Sequence, residues 1–395
     1  MTLLKFVALG GVLLFVYSYL IYPFLLAAVG AIFQLINDFL YVARGKKSRR
    51  AERGQRLPRV AVVIAAYNEQ KHIKERVHNL LEQGYPSHLL NIYVGSDGSD
   101  DGTSDILKGI TDSRFKLIEF SVNRGKASVL NDLVAQGDEE ILVFSDANTF
   151  FSVGALENLV LAFEDRSVGC VSGELQLVGS ATDNQDGLYW RVEQFLKFFE
   201  SRIGGLLGAN GAIYAIRRDF WKPLASDTIC DDFCVAMTVA ASGGRLLYVP
   251  AARAQEEMPH SIEDEYRRRI RIGIGNYQAL FRHPEYFTRT SWAMRFSYVS
   301  HKVIRWVGPH LLFLSLMASV PLGFSGGWWL AWLVLQGFGW FAAWLAYYLS
   351  TRVDLSLPLP LKLLAFLFAL NWAFAVASLR YILGRYSGSW GRTAR

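Results

Sequence analysis

Between two apolar ends, the chain sets out four short stations of charge. They are Asp97 within SDGSDDGT, Asp146 within FSDANT, Asp231 and Asp232 within ICDDF, and the run Arg267, Arg268, Arg269 and Arg271. The first three follow or neighbour β-like runs, and an open α/β sheet presents its ligand crevice at strand ends. Together they offer a nucleoside contact, a metal ligand, a base and a cationic clamp for a departing diphosphate. Transfer from a nucleotide-linked sugar needs that set.

Each station also has a plainer reading. The first strand ends in AAYNE, where Ala66, Tyr67, Asn68 and Glu69 can meet a base or ribose, or simply turn the chain toward a helix. In GSDGSDDGTSD, Gly98 and Gly102 permit tight turns, and Asp100 or Asp101 suits a helix cap. Asp97, nearest the strand end, is the better ligand. Lys126 in NRGKASVLN stands just before a helix, where a lysine can meet a phosphate or only water. Asp146 and Asn148, two apart, can offer oxygens to magnesium or manganese, and such a metal would neutralise a leaving diphosphate. Asp231 and Asp232 suit a helix start, where carboxylates complement the dipole. An aspartate there can equally accept a proton from an attacking hydroxyl, and Asp232 is favoured. Arg268 or Arg271 can lay a guanidinium fork on a diphosphate, or the run can face lipid headgroups. Asn210 and Gly211, in GANG, line an acceptor pocket or form a turn.

These residues need a scaffold, and the apolar pattern supplies one. VAVVIAAY, LNIYVGS, FKLIEF and EEILVFSDA read as buried strands, with helix-like stretches at 70–83 and 126–136 between them. Short apolar strands separated by helices predict an α/β domain with a mainly parallel sheet covered on both faces. VGCVSGELQLV, GAIYAIRR and RLLYVPAA add later strands, and 231–241 reads as a helix. The domain is placed at 60–260. At 261–290, Ile262, Tyr266, Ile270, Ile274 and Tyr277 recur at helical intervals in a basic setting, as in a helix at a membrane surface.

The ends read as membrane. Residues 3–33 are almost wholly apolar, enough for one tilted span of ~20 residues or more; two short passes hinged at Pro23 are the lesser alternative. The apolar core is longer than that of a cleavable signal and no small-residue cleavage site stands out, so 1–43 is read as a retained anchor. A basic linker, 44–59, follows it: Arg44, Lys46, Lys47, Arg49, Arg50, Arg53, Arg56 and Arg59 against Glu52 alone. That places the α/β domain in the cytoplasm, beside anionic lipid. About three more spans lie in 291–395, near 304–323, 328–349 and 361–383. Four spans would put the C-terminus outside, whereas Arg380, Arg385, Arg392 and Arg395 favour the inside. The expectation is a multi-pass protein of the cell membrane.

Composition agrees. Of 395 residues, 52% are hydrophobic and 14% aromatic, with a mean hydropathy of +0.20, high for a wholly soluble protein. The net charge of +6 comes mostly from the basic linker. Without aromatic–basic interleaving or zinc-knuckle spacing, nucleic acid is excluded as a partner. Cys170, Cys230 and Cys234 give no disulfide framework and read as buried thiols. Of seven histidines, only His260, just past the last strand, is a speculative further metal ligand. An oligomer is compatible with all of this.

AAYNE, SDGSDDGT, NRGKASVLN, SDAN, GANGAIYAIRR, DDF and RRRIRIGIGNYQ, in this order, resemble the membrane-bound family 2 glycosyltransferases over roughly 60–280. The flanking spans suit the polysaccharide-synthase-like branch. The resemblance implies a GT-A (Rossmann-like) fold, an inverting single displacement, a nucleotide-sugar donor that is usually UDP-linked, and a divalent metal. It makes Asp97 the uridine-binding acid, Asp146 the first acid of the DxD motif and Asp232 the general base. Arg268, Arg269, Arg271 and Ile272 lie where processive synthases carry QxxRW. Three positions depart from the pattern. Ala65 replaces a proline, Asn148 replaces the second DxD acid, and Arg268 and Ile272 replace the Gln and Trp. The last change puts long-chain polymerisation in doubt. The acceptor is a growing polysaccharide or a lipid-linked sugar. Two rivals remain, a catalytically silent nucleotide-binding scaffold of an envelope assembly and a nucleotidyltransferase. The full set of acids opposes the first; the spans and ICDDF oppose the second.

Overall fold

The computed structural model describes residues 1–43, 57–178, 185–257, 262–353 and 357–386. Most of the basic linker, His260, Arg392 and Arg395 lie outside them. Eight strands form one sheet: β1 Val60–Ala66, β2 Leu90–Asp97, β3 Phe115–Phe120, β4 Ile141–Phe144, β5 Phe150–Phe151, β6 Val168–Val178, β7 Tyr214–Arg217 and β8 Arg245–Glu257. Their order is β3-β2-β1-β4-β7-β6-β8-β5.

All seven residues of β1 are buried. Its period-two alternation sends Ala61, Val63 and Ala65 into one core, with Val129, Leu130 and Leu133 of the Lys126–Val134 helix. Val60, Val62, Ile64 and Ala66 join the other, with Ile73, Val77 and Leu80 of the Ile73–Leu81 helix. Both faces are thus covered, as the continuous apolar strands predict. The sheet is nevertheless more mixed than expected. β1 pairs in parallel with β2 and β4, but β7 runs antiparallel to both β4 and β6. That reversal matters for the site. Phe144, last of β4, sits opposite Tyr214, first of β7, so the GANG segment arrives at the edge where the parallel strands end.

Four helices are long and apolar enough to cross a membrane: Thr2–Ala43, Trp292–Gly323, Gly327–Arg352 and Leu359–Ile382. The first is one helix of 42 residues, about 63 Å long at 1.5 Å per residue, roughly twice a hydrocarbon core. It does not turn back at Pro23; a π-helical turn, Tyr17–Ile21, precedes that residue instead. Ser18 Oγ in this turn donates to Ser300 O, in a second π turn, at 2.6 Å. The helix ends beyond the expected apolar limit, and its later half packs on the Gln185–Ile203 helix.

The arginine helix, Ile262–Arg282, was expected at the membrane surface. Its apolar residues Ile270, Ile274 and Tyr277 are buried in the protein core, together with Phe366, Phe374 and Ala377 of the last helix. Two glycines allow this packing. A Cβ at Gly273 would stand 2.7 Å from Ala377 Cβ, and one at Gly275 would collide with Cys230 Sγ. Glycine in a helix interior costs about 1 kcal/mol against alanine; here it lets the helix touch neighbours on two sides. Gln278 adds hydrogen bonds to Asp227 O (3.0 Å) and from Ile229 N (3.2 Å), and Arg282 grips Asp227 with two bonds of 2.8 and 2.7 Å.

Candidate active site

The ends of β1, β2 and β4 share one edge because the strands run in parallel. Asp97, at the end of β2, is fully buried. Its carboxylate accepts from the backbone N–H of Arg124 (2.8 Å) and of Gly125 (2.9 Å). Gly125 has φ +85°, a backbone state that favours glycine. This turn delivers Lys126 at the start of its helix. Asp97, expected as a nucleoside ligand, therefore also shapes the loop that aims Lys126.

Lys126 Nζ stands 2.8 Å from Asp146 Oδ1 and 3.3 Å from Asp231 Oδ2. Burial opposes its charge, but Asp146, Asp231 and Asp232 outweigh burial and hold its pKa above the ordinary lysine range. The adjacent acids of ICDDF have separate partners. Asp231 pairs with Lys126. Asp232 accepts from Gly211 N at 3.0 Å and from Phe233 N at 2.8 Å. Burial first, and the charge of Asp231 second, push the Asp232 carboxyl up to about 6, with Lys126 opposing. A carboxyl in that range is suited to general-base work near neutral pH. Asn210 is held by Ser172 Oγ on its N–H (3.1 Å) and precedes Gly211.

The first two loops are zipped together. Asn68, the one non-glycine residue at positive φ among the described residues (+56°), donates from Nδ2 to Asp100 Oδ1 at 2.7 Å and accepts from Asp100 N at 3.0 Å. Glu69 N donates to Thr103 Oγ1 (2.9 Å), and Asp101 Oδ1 accepts from Thr103 N (3.1 Å). The amide of Asn68 thus serves the loop; Ala66 is buried and Tyr67 half-buried beside it.

Asp146 follows β4 and keeps about a third of its side chain exposed (34%). Asn148 Nδ2 donates to Glu256 Oε1 at 3.4 Å. Asp146 and the Asn148 amide supply hard oxygen donors of the kind magnesium and manganese take. Among the described residues no three acids, histidines or cysteines gather into a metal cage, so a cation here needs further oxygens from a ligand. The arginines divide. Arg269 lies over the Phe366 ring at 4.6 Å, Arg268 is half-buried, and Arg271 is exposed. The Arg271 charge acts on Cys230, whose thiol is pushed up by burial and by Asp232. All three cysteines are buried and free of disulfides.

Two contributors escaped the sequence reading. Arg76 is fully buried. It donates from Nη2 to Ser145 Oγ at 2.8 Å and lies over the Phe151 ring at 4.3 Å. Burial lowers its pKa to about 9, with Asp146 opposing. Ser145 Oγ passes a bond on to Ala212 O at 2.7 Å, beside Gly211. Arg76 shares a stripe with Ile73, Val77 and Leu80, and a charge on an apolar stripe was the available signal. Glu256 was signalled by its alternation with buried Ala252 and Ala254 along β8.

The family model described as glycosyltransferase like family 2 matches residues 58–275, more than half of the chain. A poly-beta-1,6-N-acetyl-D-glucosamine synthase of Staphylococcus epidermidis is 24% identical over 236 residues, 58% of this chain and 57% of that one. The probable glycosyltransferase YdaM of Bacillus subtilis is 26% identical over 242 residues, 57% of this chain and 57% of that one. The chain thus matches a little over half the length of these relatives. A mannosyltransferase of Pyrobaculum calidifontis, solved with GDP-Man and Mn2+, superposes with a TM-score of 0.63 at 21% identity, over 92% of this chain and 99% of that one; at that identity the likeness is one of fold.

Proposed function

This chain belongs to the family described as glycosyltransferase like family 2, and from that premise we propose that it moves a sugar from a nucleotide-sugar, UDP-linked by the resemblance of its motifs, to a growing polysaccharide or a lipid-linked acceptor. Its mixed α/β sheet is a GT-A sheet, and its relatives include a polysaccharide synthase. In the proposed reaction Asp232 accepts the proton of the acceptor hydroxyl. The hydroxyl oxygen bonds to the anomeric carbon from the face opposite the nucleoside diphosphate, and the bond from that carbon to the diphosphate oxygen breaks. Asp97 and 66–69 face the nucleoside, and Lys126 and Arg271 set positive charge beside the leaving diphosphate. Asp146 and Asn148 would hold a divalent metal together with diphosphate oxygens. When bound, that metal takes up leaving-group charge. Four helices long and apolar enough to cross a membrane support a membrane-embedded enzyme, and the basic stretch after the first favours a site on the cytoplasmic side.

One observation carries this reading: Lys126 bonds both Asp146 and Asp231, which brings the donor-side acid next to the Asp231–Asp232 pair. The test is transfer from a panel of radiolabelled nucleotide-sugars by membranes supplied with manganese or magnesium, with Asp232→Asn alongside. Metal-dependent transfer lost in the variant supports the reading, and product size and lipid extraction identify the acceptor. Transfer undiminished in Asp232→Asn would remove the base from the scheme.

A further inference from the structure

A divalent cation brings two positive charges. Asp146 and Asn148 meet it with one carboxylate, already bonded to Lys126 at 2.8 Å, and one neutral amide. That amide has two ends, and only its oxygen can hold a cation. A neighbouring group must keep the oxygen, rather than the nitrogen, available.

Strand β8 carries such a group. Near its end it is paired on both sides. Leu177 of β6 faces Glu256, while Phe150 and Phe151 of β5 face Gln255 and Ala254. One more step along the β5 ladder sets Glu256 across from Thr149, the neighbour of Asn148, and residues opposed in this way share a face of the sheet. The inward positions of β8 alternate. Ala252 and Ala254 are fully buried, and the next, Glu256, is only 7% exposed. A carboxylate thus occupies a place in a row of methyl groups, where burial opposes its charge. Thr149, fully buried, keeps its hydroxyl there without a hydrogen-bond partner. Two polar side chains are therefore held beside Asn148 for reasons other than packing.

The contact between Glu256 and Asn148 has a direction. Glu256 Oε1 stands 3.4 Å from Asn148 Nδ2, long for such a bond. A carboxylate can only accept, so the nitrogen side of the amide faces it and the oxygen faces away. Asn148 Oδ1 accepts no hydrogen bond from any described residue. Negative charge behind the nitrogen also draws electron density onto the oxygen and makes it a better ligand. Groups that orient and polarise ligands in this way typically change metal affinity by about 10–100-fold.

We propose that Glu256 is the positioning residue of the metal site. It turns the Asn148 amide so that the oxygen joins Asp146 as a ligand, and it lends through that amide the charge the pair lacks. The inference rests on the transferase reading for the presence of a metal and a diphosphate, and it gives Glu256 no contact with the metal.

The test is Mn2+ binding to the full chain in nanodiscs, with UDP or GDP as the diphosphate, followed by loss of the free-ion EPR signal. This readout needs no sugar transfer. Glu256→Gln keeps the shape and removes the charge. It is expected to weaken Mn2+ binding about tenfold to a hundredfold, with a near-native melting temperature. In Asn148→Ala, which has no amide to turn, the same change should cost less than about twofold. Asn148→Asp, whose two oxygens are alike, should restore binding to Glu256→Gln. If Glu256→Gln melts early, that rescue decides: affinity restored while the melting temperature stays low supports the proposal, and affinity not restored overturns it. Native affinity in Glu256→Gln also overturns it. So does an undiminished loss in the Asn148→Ala background, which would make Glu256 a ligand in its own right. A native protein that takes up no Mn2+ beside either nucleotide overturns it as well. Sugar transfer by the same preparations is assayed separately, and metal-dependent transfer beside binding indifferent to Glu256 would sink this inference alone and leave the transferase reading standing.

Discussion

The backbone N–H of Gly211 donates to Asp232 Oδ2 at 3.0 Å, and a Cβ at Gly211 would stand 3.1 Å from the same oxygen. The proposed base is thus aimed by a residue at which a Cβ would crowd the carboxylate and force it to give by a few tenths of an ångström. Gly211→Ala is expected to lower turnover by about tenfold to a hundredfold, the scale of a small misplacement in an active site, with a near-native melting temperature. Initial-rate kinetics beside a thermal melt will show it; an alanine variant with native turnover would clear Gly211 of this role.

The Asp232 carboxyl is pushed up to about 6 by burial and by Asp231. A base must be ionised, so turnover should fall as the pH drops through about 6. Asp231→Asn removes the like charge, and the acidic limb should move to lower pH. The measurement is a pH–rate profile for both proteins. A limb that stays in place or moves upward contradicts the assignment.

The same shift has a stability consequence. A carboxyl whose folded pKa lies above its unfolded value of ~3.9 destabilises the fold increasingly as pH rises between the two values, and fully above about 6. Asp232→Asn escapes this cost. It should melt at or above the native temperature at pH ~8 and lose that advantage toward pH ~4, while losing transfer. A variant that melts well below native at the higher pH would show that the carboxylate is a net stabiliser.

Lys126 neutralises Asp146 and Asp231 together. Lys126→Met leaves two carboxylates without their cation and should cost about 2–3 kcal/mol, below the figure for a fully buried pair because Asp146 is partly exposed. Donor binding should weaken as well. Denaturant melts and nucleotide titrations of Lys126→Met and Lys126→Arg test this, with the arginine variant falling between methionine and native.

Arg76 is joined to the site by hydrogen bonds through Ser145 to Ala212, and its charge also acts on Asp146. Ser145→Ala should cost about 1–2 kcal/mol of stability, because it strands a buried guanidinium nitrogen, and should lower turnover without changing the pH limb. An altered limb would mean that Ser145 acts on the charge of the base rather than on loop position.

The first half of the sheet was legible because its strands are buried on both faces and carry no competing pattern. β6, as VGCVSGELQLV, was also legible from its apolar run. The antiparallel reversal at β7 was not, since pairing direction leaves no mark on GAIYAIRR. The acids at the strand ends were found from their placement alone. Their partners were not: Lys126 reaches Asp231 across 105 positions of chain, and no local pattern records such a pairing. The arginine helix was legible as a helix, but the protein neighbours that cover its apolar face were not, because that spacing is the same whether lipid or protein covers it. The Gln185–Ile203 helix went unread, and with it Glu193, Lys197 and Glu200.

Gly273 and Gly275 bring the arginine helix into contact with Ala377 of the last helix on one side and Cys230 on the other. Cys230 is the residue before Asp231. The enzyme is therefore not a catalytic head on a detachable stalk. Removing the last helix would strip Ile270, Ile274 and Tyr277 of part of their cover, so a soluble fragment is a poor stand-in for the whole. A bilayer that shifts the last helix also has a rigid path of van der Waals contacts to the residue before the acids. Lipid composition becomes an experimental variable of the active site, and rates measured in detergent describe the detergent as well as the protein.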